Sequence, residues 1–208
     1  SGLTGGVSFY KSNVKMAHCR FVGNTAEDAL NIIHSEFNIR DTQIINTASD
    51  GFDSDFSTGI FTGGLFQDIG QAGGGDAFDM SGSEVTIEDT RFLRINDKAL
   101  SVGERSRLTA LRITAEDVGT GAASKDQSVL EIDDSTISRA RIAGLLAYIK
   151  KTEYGPAQLT ATGTDIIDSD IPAKVQTGST LILNGKQIGT EDMDVDILYD
   201  TVMKRGVR

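Results

Sequence analysis

Eight apolar residues recur along this chain at a near-constant interval, and that interval limits the folds open to it. Val14, Phe37, Ile60, Val85, Leu108, Leu130, Leu159 and Leu181 lie 23, 23, 25, 23, 22, 29 and 22 residues apart. Two residues later stand Met16, Ile39, Thr62, Ile87, Ala110, Ile132, Ala161 and Leu183, the period-two pattern of a strand that buries one face. Seven residues after the start come Phe21, Ile44, Phe92, Ile137, Ile166 and Ile188, with Phe66 and Ile113 standing in for two coils that slip. A third strand aligns Leu30, Phe52, Phe78 and Leu100, followed by Ile32, Ser54, Met80 and Val102.

Three strands within so short a period leave no room for a crossover helix, which excludes βαβ units. The chain must coil, and each coil buries its apolar face only against its neighbours. The expected fold is all-β: a right-handed single-stranded parallel β-helix of about eight coils, spanning residues 1–189. Stacked at about 4.8 Å per coil, these make a rod on the order of 40 Å long. Residues 190–208 break the repeat and read as a C-terminal cap, short helix or linker, with Thr190 as N-cap and Glu191 and Asp192 in its first turn. The composition agrees: 23 Gly, 2 Pro and no Trp, with short β-branched segments. The long interval between Leu130 and Leu159 places an inserted loop around Tyr148–Pro156.

A net charge of −10 excludes binding that depends on a basic surface, so nucleic acid is not an expected partner. No apolar run reaches the roughly 18 residues of a membrane span, and no membrane insertion by this segment is expected. The chain starts almost directly in its repeats, which suggests part of a larger protein. Cys19 alone forms no internal disulfide and leaves the redox compartment open.

The acidic residues are ordered. Asp28, Asp50, Asp76 and Lys98 share one column, and Asn31, Asp53, Asp79 and Ser101 a second, with Asp55 beside them. Unit charges one coil apart repel by about 3 to 4 kcal/mol at an effective dielectric near 20. Three solutions remain open: a calcium ion held by Asp50, Asp53, Asp55, Asp76 and Asp79; protonation of some carboxyls, giving an acid and base pair; or turn capping with solvent screening. A calcium site would have to be built across coils. Along the chain, Asp53–Ser57 opens like an EF-hand loop, but Thr58 and Gly64 occupy the places of its Gly and its bidentate Glu. The Gly73–Gly75 run precedes no Lys-Ser/Thr and reads as a loop.

The columns, with turn pairs such as Asp41-Thr42 and Asp89-Thr90, resemble the repeats of the pectate-lyase-like superfamily, NosD-type and mannuronan-epimerase-type proteins among them. Ser49–Asp55 and Ala123–Asp126 are similar to β-helix modules of bacterial surface proteins. The resemblance implies an extracytoplasmic module that interacts with polysaccharide through its Asp-rich side. It also implies two alternatives: a calcium-dependent lyase or epimerase, and a non-catalytic scaffold of a larger surface protein. For the enzyme, Lys98 and Lys125 are the candidate bases, with Asp126 as a further catalytic candidate. The Asp-Pro-His-Glu motif of the epimerases and the Gly-His-Gly of the polygalacturonases are absent.

Overall fold

The computed structural model describes residues 3–198. Its chain winds as an all-β parallel solenoid of about eight turns with three sheets. Sheet I stacks the eight strands Val14–Ala17, Glu36–Arg40, Thr58–Thr62, Glu84–Glu88, Arg107–Leu111, Val129–Asp133, Gln158–Thr162 and Thr180–Leu183, each parallel to the next. Sheet II runs from Arg20–Val22 through Gln43–Ile45 and Leu65–Ile69 to Asp165–Ile167. Sheet III begins at Gly5–Tyr10 and continues through Asp28–Ile33, Asp50–Asp55 and Phe78–Ser81 to Ala173–Gln176 and Thr190–Glu191. Two long strands, Arg91–Gly103 and Thr114–Lys125, turn the corner between sheets II and III without a break.

The third-strand alignment read from the sequence is the observed register. Leu30 pairs with Phe52, Phe52 with Phe78, and Phe78 with Leu100. One sheet I assignment is corrected by one residue. Phe37 stands opposite Gly59, Ile39 opposite Phe61, and Gly59 opposite Val85. Ile60 therefore points outward and is 44% exposed, whereas Phe61 is fully buried. The reason is steric: a Cβ on Gly59 would lie 2.5 Å from the Phe37 ring, so glycine leaves the space that this ring fills. With Gly59 as start, Phe66 falls at the regular seventh position and pairs with Ile44 and Phe92. Ala115, not Ile113, pairs with Phe92 and Ile137, so neither coil slips.

The interior is continuous from Val14 to Leu181. Its widest part is a cluster of phenylalanines, in which Phe52 and Phe78 lie 4.6 Å apart between ring centroids, Phe61 and Phe66 5.4 Å, and Phe66 and Phe92 5.1 Å.

The corners are built from two further columns. One is conformational: residues in the left-handed region recur at Lys11, His34, Phe56 and Gly82; at His18, Asp41, Gly63, Asp89, Arg112, Asp134 and Gly163; and at Gly23, Asn46, Asp68, Arg94, Asp117, Arg139 and Asp168. Gly, Asn, Asp and His enter this region at least cost, hence their abundance at these positions. The other is a buried serine ladder leading into sheet I. The backbone N–H of Ser12 donates to Ser35 Oγ at 2.9 Å, Ser35 to Ser57 at 3.0 Å, Ser57 to Ser83 at 2.9 Å, Ser83 to Ser106 at 3.0 Å and Ser106 to Ser128 at 3.1 Å. Each hydroxyl supplies the acceptor that a buried corner amide needs.

At the C-terminal end, Thr190 and Glu191 are a strand of sheet III, not the start of a helix. A one-turn helix, Val195–Ile197, begins later, where Asp194 caps it by accepting from the Ile197 N–H at 3.0 Å. The remainder of the expected 190–208 segment, residues 199–208, lies outside the described residues. Among the described residues no helix is long and apolar enough to cross a membrane.

The register fixes a prediction. Phe61→Ala should lower unfolding free energy by about 3 to 5 kcal/mol, as expected for a core aromatic, while Ile60→Ala should change it by less than about 0.5 kcal/mol. Denaturant melts of the two variants measure this; the reverse order would restore the original register.

Candidate functional site

The outward face of sheet III gathers nearly all of the acidic residues singled out in the sequence. Parallel pairing stacks Asp28 on Asp50, Asn31 on Asp53, Asp53 on Asp79 and Asp79 on Ser101. Stacked positions lie about 4.8 Å apart along the rod. Asp28 and Asp76 are buried, whereas Asp50, Asp53, Asp55 and Asp79 are half-buried. Lys98 and Lys125 belong to the same face and are buried.

The two lysines neutralise one end of this face. Lys98 Nζ lies 2.7 Å from Asp97 Oδ2 and 3.3 Å from Asp76 Oδ1, and the Lys98 N–H also donates to Asp76 at 3.0 Å. Lys125 Nζ donates to Ser101 Oγ at 2.7 Å and stands 3.8 Å from Asp79. At the other end the principal donor is an amide. Asn31 Nδ2 donates to Asp28 at 3.2 Å, to Asp53 at 3.2 Å and to Asp55 at 3.5 Å, and the Thr4 hydroxyl donates to Asp28 at 2.8 Å.

This asymmetry splits the carboxyl groups. Burial first, then the charges of Asp79 and Asp55, push Asp53 from 3.8 up to about 10. Burial, Asp76 and Asp79 push Asp50 up to about 8. Asp55 is raised by burial, against the hydrogen bond from Asn31, and Asp97 is raised by burial and by Asp76. Burial also works to raise Asp76, but the charges of Lys98 and Lys125 outweigh it and hold that carboxyl below its usual range. The face therefore carries protonated carboxyls next to ionised ones, the arrangement that supplies both a proton donor and an acceptor.

Of the catalytic candidates, Asp126 plays a different part. Its Oδ1 accepts the backbone N–H groups of Lys150 and Lys151 at 2.7 and 2.8 Å, which ties down the inserted loop. That loop is fastened further by the ion pair of Lys151 with Glu104 and by Arg105 lying 5.4 Å over the Tyr154 ring. Among the described residues no group of three or more His, Cys, Asp or Glu side chains is arranged to hold a metal ion. At the Lys98 end Asp76, Asp97 and Asp79 face ammonium groups.

Sequence reasoning missed the neighbours of this face. Tyr10, His34 and Phe56 form an outer aromatic ladder: His34 and Phe56 stack at 5.1 Å, and Tyr10 meets His34 edge-on at 6.1 Å. Tyr10 is 50% and Phe56 57% exposed. With Leu3, Thr4, Asn31, Ile33 and Asp55 they line an open groove of about 630 Å³. The signal was present in the sequence, since His34 and Phe56 both stand three residues before a sheet I start, in a left-handed corner.

The family described as the right-handed β-helix region matches residues 5–166. The chain belongs to the right-handed β-helix family. No curated protein matches it. In this β-helix the family match accounts for the solenoid and covers both the aromatic ladder and the acidic face, but the fold hosts many activities and assigns none by itself.

The raised carboxyls set the pH dependence of stability. Below about pH 4, Asp50 and Asp53 are protonated whether folded or unfolded and contribute nothing. Above that, the unfolded chain releases these protons while the folded one retains them, so stability falls as pH rises, until the folded groups ionise near pH 8 and pH 10. Asp76, shifted down, acts in the opposite sense and loses its contribution only in acid. The melting temperature should therefore be higher at pH 5 than at pH 9, and Asp53→Asn should flatten that slope and raise stability at pH 9. A wild-type slope of the opposite sign would contradict the buried-carboxyl assignment.

Proposed function

We propose that this β-helix is a carbohydrate-interacting module of an extracytoplasmic protein, and that it takes an oligosaccharide in the groove between the aromatic ladder and the acidic face. The carrying observation is the exposure of Tyr10 and Phe56 beside Asn31 and Asp55 in one groove. Sugar rings present an apolar face and a rim of hydroxyls. An aromatic surface bordered by the Asp55 carboxyl complements both. The extracytoplasmic location is carried by the resemblance to periplasmic and surface β-helix proteins.

The lyase alternative has weaker support. Lys98 and Lys125 lie within reach of cleft carboxylates, as that chemistry requires, but Lys98 is held between Asp76 and Asp97. Its Nζ is already engaged by Asp76 and Asp97 in a buried position, whereas a base must reach the substrate proton. These lysines fit better as the counter-charges of the acidic face.

Calorimetric titration with cello-, chito-, galacturono- and glucosamine-oligosaccharides tests the reading. At least one series should bind, and Phe56→Ala or Tyr10→Ala should weaken it by about tenfold with little change in melting temperature, since both rings are largely exposed. If none of the series binds, or if both aromatic variants bind as the wild type does, the carbohydrate reading fails.

A further inference from the structure

Lys98 stands where the strand Arg91–Gly103 passes from sheet II to sheet III, at the end of a break in register that begins at Ile95. It is only 2% exposed, and the two carboxyl residues that flank its amine, Asp76 and Asp97, are each 8% exposed. Lys98 Nζ lies 2.7 Å from Asp97 Oδ2 and 3.3 Å from Asp76 Oδ1. The corner pairs Arg94 with Asp68, Arg112 with Asp89 and Arg139 with Asp117 keep far more contact with solvent. A buried ion pair gives up much of its attraction to desolvation, so an uncharged product gains from the same burial.

The two carboxyls are not alike. Asp76 is held against the strand that carries the amine, because its Oδ1 also accepts the Lys98 backbone N–H at 3.0 Å. Asp97 Oδ1, by contrast, is buried and has no hydrogen-bond partner, an uncommon and costly state. Burial and the charge of Asp76 raise Asp97, while the charges of Lys98 and Lys125 outweigh burial at Asp76 and hold it low. One small dry site thus brings together an amine, a carboxylate and a carboxylic acid. Contact of this kind makes a condensation that is slow between separate molecules effectively unimolecular.

We propose that Lys98 and Asp76 join in an intramolecular amide, an isopeptide cross-link between successive coils, with Asp97 relaying the proton. The ammonium first passes a proton to the Asp76 carboxylate, which leaves a neutral amine beside a neutral acid. Nζ then attacks Asp76 Cγ, its lone pair forming the C–N bond while the carbonyl π electrons move to oxygen. Asp97 gives its proton to the departing hydroxyl and takes one from Nζ as the C–O bond breaks. The sum is ammonium plus carboxylate to amide plus water, with no redox change and no co-reactant. The inference is independent of the carbohydrate reading.

The test is the mass of the whole chain, denatured after the folded protein has stood overnight at neutral pH. It should be lighter than the sequence by one water. Digestion after Lys and Arg should yield a branched peptide that joins residues 41–91, which contain Asp76, to residues 95–105, left uncut at Lys98. A chain of full mass overturns the cross-link. A chain lighter by one water without that branched peptide also overturns it, since cyclisation at Asp50-Gly51 or a ring between Asp97 and Lys98 would account for the loss. Lys98→Arg keeps the positive charge without the amine and should retain full mass. Asp97→Asn keeps both joined groups and should also retain full mass; complete cross-linking in this variant overturns the relay. Melting curves establish that both variants are folded, and the wild-type mass and branched peptide decide the cross-link even if they are not.

Discussion

Backbone hydrogen bonding between successive coils places each residue directly over its counterpart one turn earlier, and the rest of the molecule follows from this constraint. A side chain suited to one level is repeated at about 4.8 Å, so apolar positions stack into a core and charged positions stack into a repulsive line. For the phenylalanine cluster the repetition is favourable, since Phe52, Phe61, Phe66, Phe78 and Phe92 bury one another. For carboxylates it is unfavourable unless something intervenes.

At the corners, what intervenes is alternation of sign. Asp68, Arg94, Asp117 and Arg139 succeed one another in one left-handed column, and the Nε atoms of Arg94 and Arg139 lie 2.6 Å from Asp68 and Asp117. Arg112 does the same for Asp89 at 2.7 Å. These pairs are exposed and screened by solvent, so each contributes little, but they show that the repeat readily accommodates an opposite charge where only structure is at stake. The N-terminal part of sheet III does not use this device. Asp28, Asp50 and Asp76 follow one another with no base until Lys98, and burial with mutual repulsion keeps Asp50 and Asp53 protonated well above the usual carboxylate range. Departures from a rule that the same molecule obeys elsewhere are where function concentrates.

The coil period, the three sheets and the acidic columns were legible in the sequence because they depend on backbone register, and register is written in apolar periodicity. What escaped had specific causes. At Ile60 a larger residue sits beside a glycine, and an apolar count prefers the isoleucine, although the Phe37 ring demands the glycine. A one-residue slip in a strand turns every side chain to the other face, so an apolar count that starts at Ile60 leaves Phe61 out of the core. At Phe92, Ala115 was passed over for the bulkier Ile113 for the same reason. The serine ladder, at Ser35, Ser57, Ser83, Ser106 and Ser128, has the full regularity of the repeat but carries no hydrophobic signal. The aromatic ladder went unseen because its residues project outward from corners, where an apolar pattern has no meaning. Which carboxyls meet Lys98 and Lys125, and that Asp126 instead fastens a loop, depends on side-chain directions that periodicity does not encode.

The extent of the site follows from how one outward column changes along the rod. Asn31, Asp53, Asp79, Ser101, Ala123 and Leu146 occupy successive levels of sheet III. The first three are amide and carboxyl, the fourth a hydroxyl held by Lys125, and the last two are apolar and fully buried. Ala123 and Leu146 are covered because Met193 and its neighbours Val195 and Leu198 pack on them, together with Ala143 and Tyr148. The same strand positions are thus apolar where the chain's own C-terminal segment seals them and polar where they border the open groove. The column therefore divides sheet III into a part closed by this chain and a part left open beside Tyr10 and Phe56.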